Sequence, residues 1–391
     1  MIKSIKVKLY PTKRQEVMFR KSAGCARFAY NWGLSQIKTQ YELGNKISPI
    51  DARSMLKTEK DTGNFEWLRE VSADAWRNAF QDLKLAFVGF YRNLKQGVPF
   101  QKAGFPRFKK KVGCKLSFFH ENVKLKVNKN QVYLEKIGFV KMKDDGRLPR
   151  GNYKLDKIKV SDVHISYDNK QWHLTCGLEV PEKTWELNPG LSIGIDLGIK
   201  DLAVTSIADL QFKNINKSKE VKRLEKKHKR MSRQISRKYE MNKIGSKFIK
   251  TNNIRKLENL RNKVNRRLAN IRDNHLHQAT KAIIKQKPSK IVVEDLNIKG
   301  MMKNKHLSKA IANQKFFEFT RQLKYKALFY LGIEVTTADR WFPSSKLCSS
   351  CGEIKKDLKL KDRTYKCNGC GMVLDRDFNA AINLSNYTQT A

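Results

Sequence analysis

Acidic residues are scarce in this chain. Only 37 aspartates and glutamates stand against 81 lysines and arginines in 391 residues, which leaves a formal charge of +44. The self-repulsion of so one-sided a surface is relieved by a polyanion, so the composition points to nucleic acid as the partner. Long apolar runs are also missing. No stretch approaches the about 18 residues of a membrane span, and the first residues lack a signal-peptide core. A membrane partner is therefore not expected. The seven cysteines are too few and too unevenly spaced for a disulfide scaffold, and four of them form one tight group. That favours a reducing compartment, hence a cytosolic or nucleoid protein. No internal repeat or low-complexity tract is evident, and the length predicts two or three domains.

What is present changes character along the chain. Ile2, Ile5, Val7 and Leu9 alternate with lysines, the pattern of a basic strand. Pro11 and Thr12 then open a helical block over residues 13–95. In it Trp76, Phe80, Leu83, Phe87, Phe90 and Leu94 recur at steps of four and three, a core-facing helix stripe. Arg27 shares another expected helix with Phe28, Tyr30 and Trp32. Residues 96–111 read as a basic linker punctuated by Gly97, Pro99, Gly104 and Pro106. Its Arg107, Lys109, Lys110 and Lys111 interleave with phenylalanines, which suits phosphate contacts and stacking on unpaired bases, although a solvated basic loop has the same composition. From 115 to 180 the period becomes two. Val123, Leu125 and Val127 alternate with lysines, as do Val163, Ile165 and Tyr167, then Trp172, Leu174, Cys176, Leu178 and Val180 across a turn at Asp168-Asn169-Lys170. Short antiparallel strands at this spacing predict a small barrel or sandwich.

After a second linker, Pro181 to Pro189, the stretch Ser192–Ser206 reads as two strands joined by a tight turn at Gly198, with Asp196 inside an apolar run. A lone carboxylate there is costly to bury, so it needs a cation, a hydrogen-bond cage or a partner. Residues 213–272 predict a basic helical hairpin turning near Gly245, and 290–296 a buried strand that ends in Glu294 and Asp295. A helix through Phe316, Phe317, Phe319, Leu323 and Leu328 and a strand at 333–337 follow. Asp375 and Asp377 stand at the start of a last helix. Three acids brought together from these elements would repel unless hard cations neutralise them, and magnesium suits such an oxygen site. Two ions about 3.5–4 Å apart would serve phosphodiester displacement. Adjacent strand residues face opposite ways, so only one of Glu294 and Asp295 can join. Asp375 rivals Asp377 and could equally cap the helix. Cys348-Ser-Ser-Cys351 and Cys367-Asn-Gly-Cys370, separated by 15 residues and each followed by glycine, match a four-thiolate structural zinc.

The combination of Gly-Ile-Asp-Leu-Gly-Ile-Lys-Asp (194–201), Ile-Val-Val-Glu-Asp-Leu-Asn (291–297), Phe-Pro-Ser-Ser-Lys-Leu-Cys (342–348), the cysteine pairs and Asp-Arg-Asp-Phe-Asn-Ala-Ala-Ile-Asn (375–383) resembles the TnpB family. These are insertion-sequence-encoded, RNA-guided nucleases related to type V CRISPR effectors. Leu-Tyr-Pro-Thr (9–12), Ala-Arg-Phe-Ala-Tyr-Asn (26–31) and Gly-Phe-Pro-Arg-Phe-Lys (104–109) extend the resemblance along the chain. It implies a multidomain α+β protein. Residues 1–12 and 112–184 would form a wedge-like antiparallel β-barrel, interrupted by a helical recognition domain at 13–95. Residues 190–391 would form a RuvC-type, RNase H-like nuclease domain with the helical hairpin 213–272 and a zinc ribbon at 344–374. It implies Asp196, Glu294 and Asp377 as catalytic acids holding magnesium or manganese, with one structural zinc on Cys348, Cys351, Cys367 and Cys370. The implied partners are a guide RNA from the transposon end and double-stranded target DNA, bound by a monomer in complex with RNA. Arg27, Arg107, Lys109, Lys110 and Lys111 are the candidate nucleic-acid contacts.

Other functions fit the composition less completely. A guided binder without cleavage has no use for three carboxylates, and a ribosomal or chaperone role explains charge and zinc but not the acids. A transposase or resolvase working without RNA remains the alternative, because charge alone does not separate RNA from DNA.

Overall fold

The computed structural model describes residues 2–111, 115–144, 146–168, 171–181, 186–329, 332–359 and 362–388. The expected turn residues Asn169 and Lys170, the first residues of the expected second barrel segment (112–114) and linker residues 182–185 lie outside them. The chain is a multidomain α+β protein that divides into two units, Met1–Pro181 and Glu182–Ala391.

The first unit begins with strand β1 (Ile2–Tyr10), which buries Ile5, Val7 and Leu9 and turns its lysines outward. Thr12 then caps helix α1 (Lys13–Glu42) in a reciprocal box: its hydroxyl accepts from the Gln15 amide, and Gln15 Oε1 accepts from the Thr12 amide. Helix α2 (Pro49–Asp61) starts the same way on Ser48 and Asp51, with proline at its first position. Helix α3 (Ala73–Lys95) carries the apolar stripe, and Trp76, Phe80, Leu83, Phe87 and Phe90 fill a core with Leu34, Leu56 and Leu68.

Seven further strands follow: β2 (Ser117–Phe119), β3 (Lys126–Asn128), β4 (Gln131–Leu134), β5 (Gly138–Lys143), β6 (Gly151–Asn152), β7 (Val160–Asp168) and β8 (Gln171–Glu179). They join β1 in one antiparallel sheet ordered β2-β7-β8-β1-β5-β4-β3-β6. The N-terminal strand thus lies between strands that follow the helices, with Ile5 opposite Cys176 and Leu9 opposite Met142. Val123 departs from the expected strand. Asn122–Lys124 make a turn instead, Val123 is exposed, and Lys124 swings its ammonium to Asp74 (2.8 Å) and Glu135 (2.9 Å).

The second unit opens with β9 (Asn188–Leu197), β10 (Asp201–Thr205) and β11 (Gln211–Lys213), antiparallel to one another. Helix α4 (Lys219–Met241), the two-residue strands β12 (Lys243–Ile244) and β13 (Lys247–Phe248) around Gly245, and helix α5 (Asn252–Lys285) form the basic hairpin. Helix α5 runs beyond the expected end at 272, because Leu276, Ala279, Ile283 and Ile284 extend its apolar stripe into the sheet's core. Strand β14 (Pro288–Val293), short helices α6 (Ile298–Met301) and α7 (Ser308–Gln314), helix α8 (Phe316–Leu328) and strand β15 (Glu334–Thr337) follow. Phe316, Phe319, Leu323 and Ala327 are the buried face of α8, whereas Phe317 and Leu328 are exposed, one position off that stripe. Two short strands, β16 (Thr364–Lys366) and β17 (Val373–Asp375), lead into helix α9 (Arg376–Ser385). The main sheet has the order β11-β10-β9-β14-β15, with β9, β14 and β15 parallel.

Candidate active site and thiolate cluster

Strand β9 sends alternate side chains to opposite faces of the sheet. Ile193, Ile195 and Leu197 enter the main core, so Ser192, Gly194 and Asp196 face the other way. Helix α9 lies on that second face. A Cβ on Gly194 would come within 2.0 Å of the Ala381 carbonyl oxygen and 2.3 Å of the Ser385 amide nitrogen. Only glycine permits this approach. The Ser192 hydroxyl donates to the Ser385 carbonyl at 2.7 Å, and Val292 of β14 packs on Leu384. From Gly194 to Asp196 the strand advances about 6.6 Å. From Ala381 back to Asp377 the helix covers about 6 Å. Asp377 therefore arrives level with Asp196.

Glu294 joins from β14. Val293 pairs with Ile195 in parallel register, so Glu294 stands beside Asp196 and on the same face. Its neighbour Asp295 is engaged elsewhere, accepting from Arg340 Nη2 at 2.5 Å. Asp375 is engaged as well. It is the N-cap of α9, accepting the amides of Asp377 (2.9 Å) and Phe378 (3.1 Å) through one carboxylate oxygen. The Asp377 carboxylate takes no part in that cap and has Arg363 and Arg376 nitrogens at 3.8 and 3.9 Å.

The three carboxylates feel one another. Asp196 keeps a window to solvent, but protein crowds its carboxyl. Burial first, then the charges of Glu294 and Asp377, push its proton affinity well above the ordinary aspartate range. Glu294 is raised too, by burial first. A hydrogen bond from Asp196 and the charge of Arg376 oppose that rise, while Asp295 and Asp377 add to it.

The four cysteines named above converge. All four Sγ atoms lie within 4.8 Å of one another, with Cys348 and Cys370 3.6 Å apart and Cys351 and Cys367 3.5 Å apart. Each pair sits on a tight turn closed by a left-handed glycine, Gly352 at φ +78° and Gly371 at φ +71°. This cluster is tied to α9 by two buried asparagines. Asn379 donates to the Leu347 carbonyl (2.7 Å) and accepts from the Ser349 amide (3.0 Å). Asn383 donates to the carbonyls of Ser344 (2.8 Å) and Leu347 (2.7 Å). Gly194, Asn379 and Asn383 escape a reading of the sequence. The only signal was a pair of polar residues four apart on the buried face of an apolar helix.

In the first unit, Arg27 and Lys109 line one cleft of about 220 Å³, with Asn78, Asp82, Lys115 and Phe119. Lys109 is held there. Asn31 bonds both its amide and its carbonyl, its ammonium sits 3.7 Å from Asp82, and it lies over the Tyr30 ring. Arg107, Lys110 and Lys111 are exposed.

Three family models match successive parts of the chain. A helix-turn-helix domain of the OrfB_IS605 type matches residues 1–46, an OrfB_IS605 "probable transposase" model residues 175–305, and a Cas12f1-like TNB domain residues 316–384. Residues 2–42 are a strand followed by one unbroken helix after a two-residue link, not two helices about a turn. "Putative RNA-guided DNA endonuclease InsQ" of Escherichia coli (strain K12) is 26% identical over 98% of this chain and 91% of its own. A Streptomyces pristinaespiralis protein of the same description is 28% identical over 98% and 88%. The CRISPR-associated endodeoxyribonuclease Cas12f1 of Sulfoacidibacillus thermotolerans is 26% identical over 61% of this chain and 55% of its own. Fold and site together define a multidomain α+β protein with acids gathered at the ends of two interior strands of a mixed sheet and a four-thiolate cluster tied to the helix that carries the third. Joined to these matches, they show a chain similar along nearly its whole length to proteins described as putative RNA-guided DNA endonucleases, with the OrfB_IS605 and Cas12f1-like TNB models matching its parts.

Proposed function

We propose that this chain is an RNA-guided DNA endonuclease whose nuclease centre is formed by Asp196, Glu294 and Asp377. The observation that carries this is the convergence of the three acids on one face, each from a different element and each lacking a carboxylate-neutralising partner as close as that of Asp295. The sheet order β11-β10-β9-β14-β15, with two acids leaving its central parallel strands, supports a RuvC-type reading of the unit. Likewise the eight-stranded antiparallel sheet and the helices α1–α3 are read as wedge and recognition domains.

The donor types suit the implied metals, and among the described residues the four cysteines are the group whose ligand atoms all lie within 4.8 Å of one another. Three carboxylates brought to one face offer an oxygen site for magnesium or manganese, which would supply the charge that activates water and stabilises a leaving oxygen. The chain's own part is to hold those oxygens in one geometry. Asp375 fixes the start of α9, Gly194 sets its height, and Asp295 is kept aside by Arg340. Four thiolates 3.5–3.6 Å apart across each diagonal match the sulfur spacing about a tetrahedral zinc with Zn–S near 2.3 Å, with no coordination position left open. That site is read as a structural zinc ribbon.

Sequence choice on this reading comes from pairing between guide RNA and target DNA, while the lysine- and arginine-rich surface holds backbones. Sequencing the RNA that co-purifies with the protein tests it. A discrete species derived from the transposon end is expected, and a protein that cuts DNA equally well free of RNA would favour the resolvase-type alternative.

A further inference from the structure

Strand β15 is parallel to β14 and β9, with Thr337 level with Val293 and Ile195. Asp196, Glu294 and Ala338 therefore leave the sheet as one row, and Ala338 donates its amide to the Val293 carbonyl at 2.9 Å. Three residues further on stands Trp341. It is 85% exposed, the most exposed large hydrophobic side chain among the described residues. An indole left in water forgoes the largest apolar burial any side chain offers.

The segment that carries it is held on both sides. The Asp339 amide donates to the Tyr387 hydroxyl (3.2 Å), and the Trp341 amide donates to Asp339 Oδ1 (2.8 Å). Arg340 is tied to Asp295, the residue next to Glu294. Phe342 turns inward and packs edge-on against Tyr387 at 4.9 Å, in a small core with Val292, Ala338 and Leu384. Between these anchors Trp341 is the large apolar side chain that points out, on a backbone fixed to the same sheet as the acids.

We propose that Trp341 is a stacking platform for an unpaired base of the DNA strand that enters the carboxylate site. An exposed ring on an anchored backbone offers a π-face, and a base offers its own π-face only when it has left a duplex stack. The charge of +44 favours nucleic acid over an apolar protein segment as the occupant. This rests on the nuclease reading above and adds a contact that sets the strand's position relative to the acids.

The test uses the guide-loaded full chain. Trp341→Ala should slow target cleavage about tenfold, the loss expected for one base stack, while gel-shift affinity for the target stays unchanged because pairing supplies it. Trp341→Tyr should restore most of the rate. In an Asp196→Ala background that binds without cutting, 2-aminopurine is placed at successive positions around the cut. At one position the probe should be quenched with Trp341 or Trp341→Tyr and brighten with Trp341→Ala. Cleavage by Trp341→Ala at the parent rate, or a slower rate with no probe position responding, would overturn the platform. A parent complex that never cuts would instead sink the nuclease reading on which it rests.

Discussion

Two ionisable groups crowded by protein show what single residues cost and contribute. Asp196 has its proton affinity raised in the folded chain by burial and by two neighbouring acids. Such a group is most favourable to folding below its unfolded value, and that contribution is lost as pH rises through the folded one. In excess chelator at neutral pH, Asp196→Asn should therefore melt a few °C above the parent, and the difference should vanish near pH 4. Adding magnesium should stabilise the parent and not the variant. His120 has the opposite sign. It is 1% exposed, its Nε2 accepts the Glu135 amide at 3.0 Å, and burial pulls its pKa down to about 4 against the opposing charge of Asp74. A folded pKa below the unfolded value of about 6.5 gives stability that is present above pH 6.5 and lost as pH falls toward 4, on the order of 3 kcal/mol. Urea unfolding across that range should show the loss in the parent, and His120→Gln, which keeps an acceptor but cannot titrate, should flatten it.

At the scale of elements, helix α9 is the part on which the site depends. It brings Asp377 level with Asp196 through a contact that only glycine at 194 allows, and it carries the thiolate cluster on Asn379 and Asn383. Gly194→Ala would meet backbone atoms rather than a flexible side chain, so α9 must shift. Displacing one carboxylate by even about 1 Å can cost on the order of a hundredfold in rate, so cleavage should fall by that much with RNA binding unchanged. Asn383→Ala removes the donor to the Ser344 carbonyl and one of the two donors to the Leu347 carbonyl near the cysteines, and should lower the zinc-bound melting temperature and slow cleavage together. If it changes neither, the cluster and the acids are independent. These dependencies mark where the sequence stops being legible. Asp196 and Glu294 stand out because a charge inside an apolar run demands an explanation within a few residues. Asp375 and Asp377 could be separated by capping chemistry only once the helix start was seen, since either can occupy the first position. The close approach at Gly194 involves Ala381, far along the chain, and nothing local announces it. Val123 and Phe317 failed for the reverse reason: their apolar character fitted the local period, but Lys124 was drawn to Asp74 and the face of α8 was set by Phe316 and Phe319.

At the scale of the whole molecule, charge and chemistry have separate carriers. Lysines and arginines are spread over both units, and α4 and α5 present them along a long hairpin with a thin apolar seam of Val221, Leu224, Val264 and Leu268. Among the described residues no helix is long and apolar enough to cross a membrane. Affinity for RNA should accordingly fall steeply with salt, by about 10³–10⁵ between 50 and 200 mM if six to ten phosphates are neutralised. Filter binding across that range measures the slope, and a shallow one would mean that most of the charge faces water.

Because binding is dispersed and cleavage is local, one comparison bears most directly on the account. Guide-loaded parent, Asp196→Ala, Glu294→Ala, Asp377→Ala and Asp375→Ala are assayed side by side for target binding by gel shift and for plasmid cleavage in magnesium. The first three variants should bind as the parent does and cut nothing measurable. Asp375→Ala should keep most of its cleavage, since it removes a helix cap worth about 1 kcal/mol and no oxygen from the cleft. Normal cutting by all three acid variants, or loss of cutting by Asp375→Ala with Asp377→Ala still active, would contradict the assignment of the site.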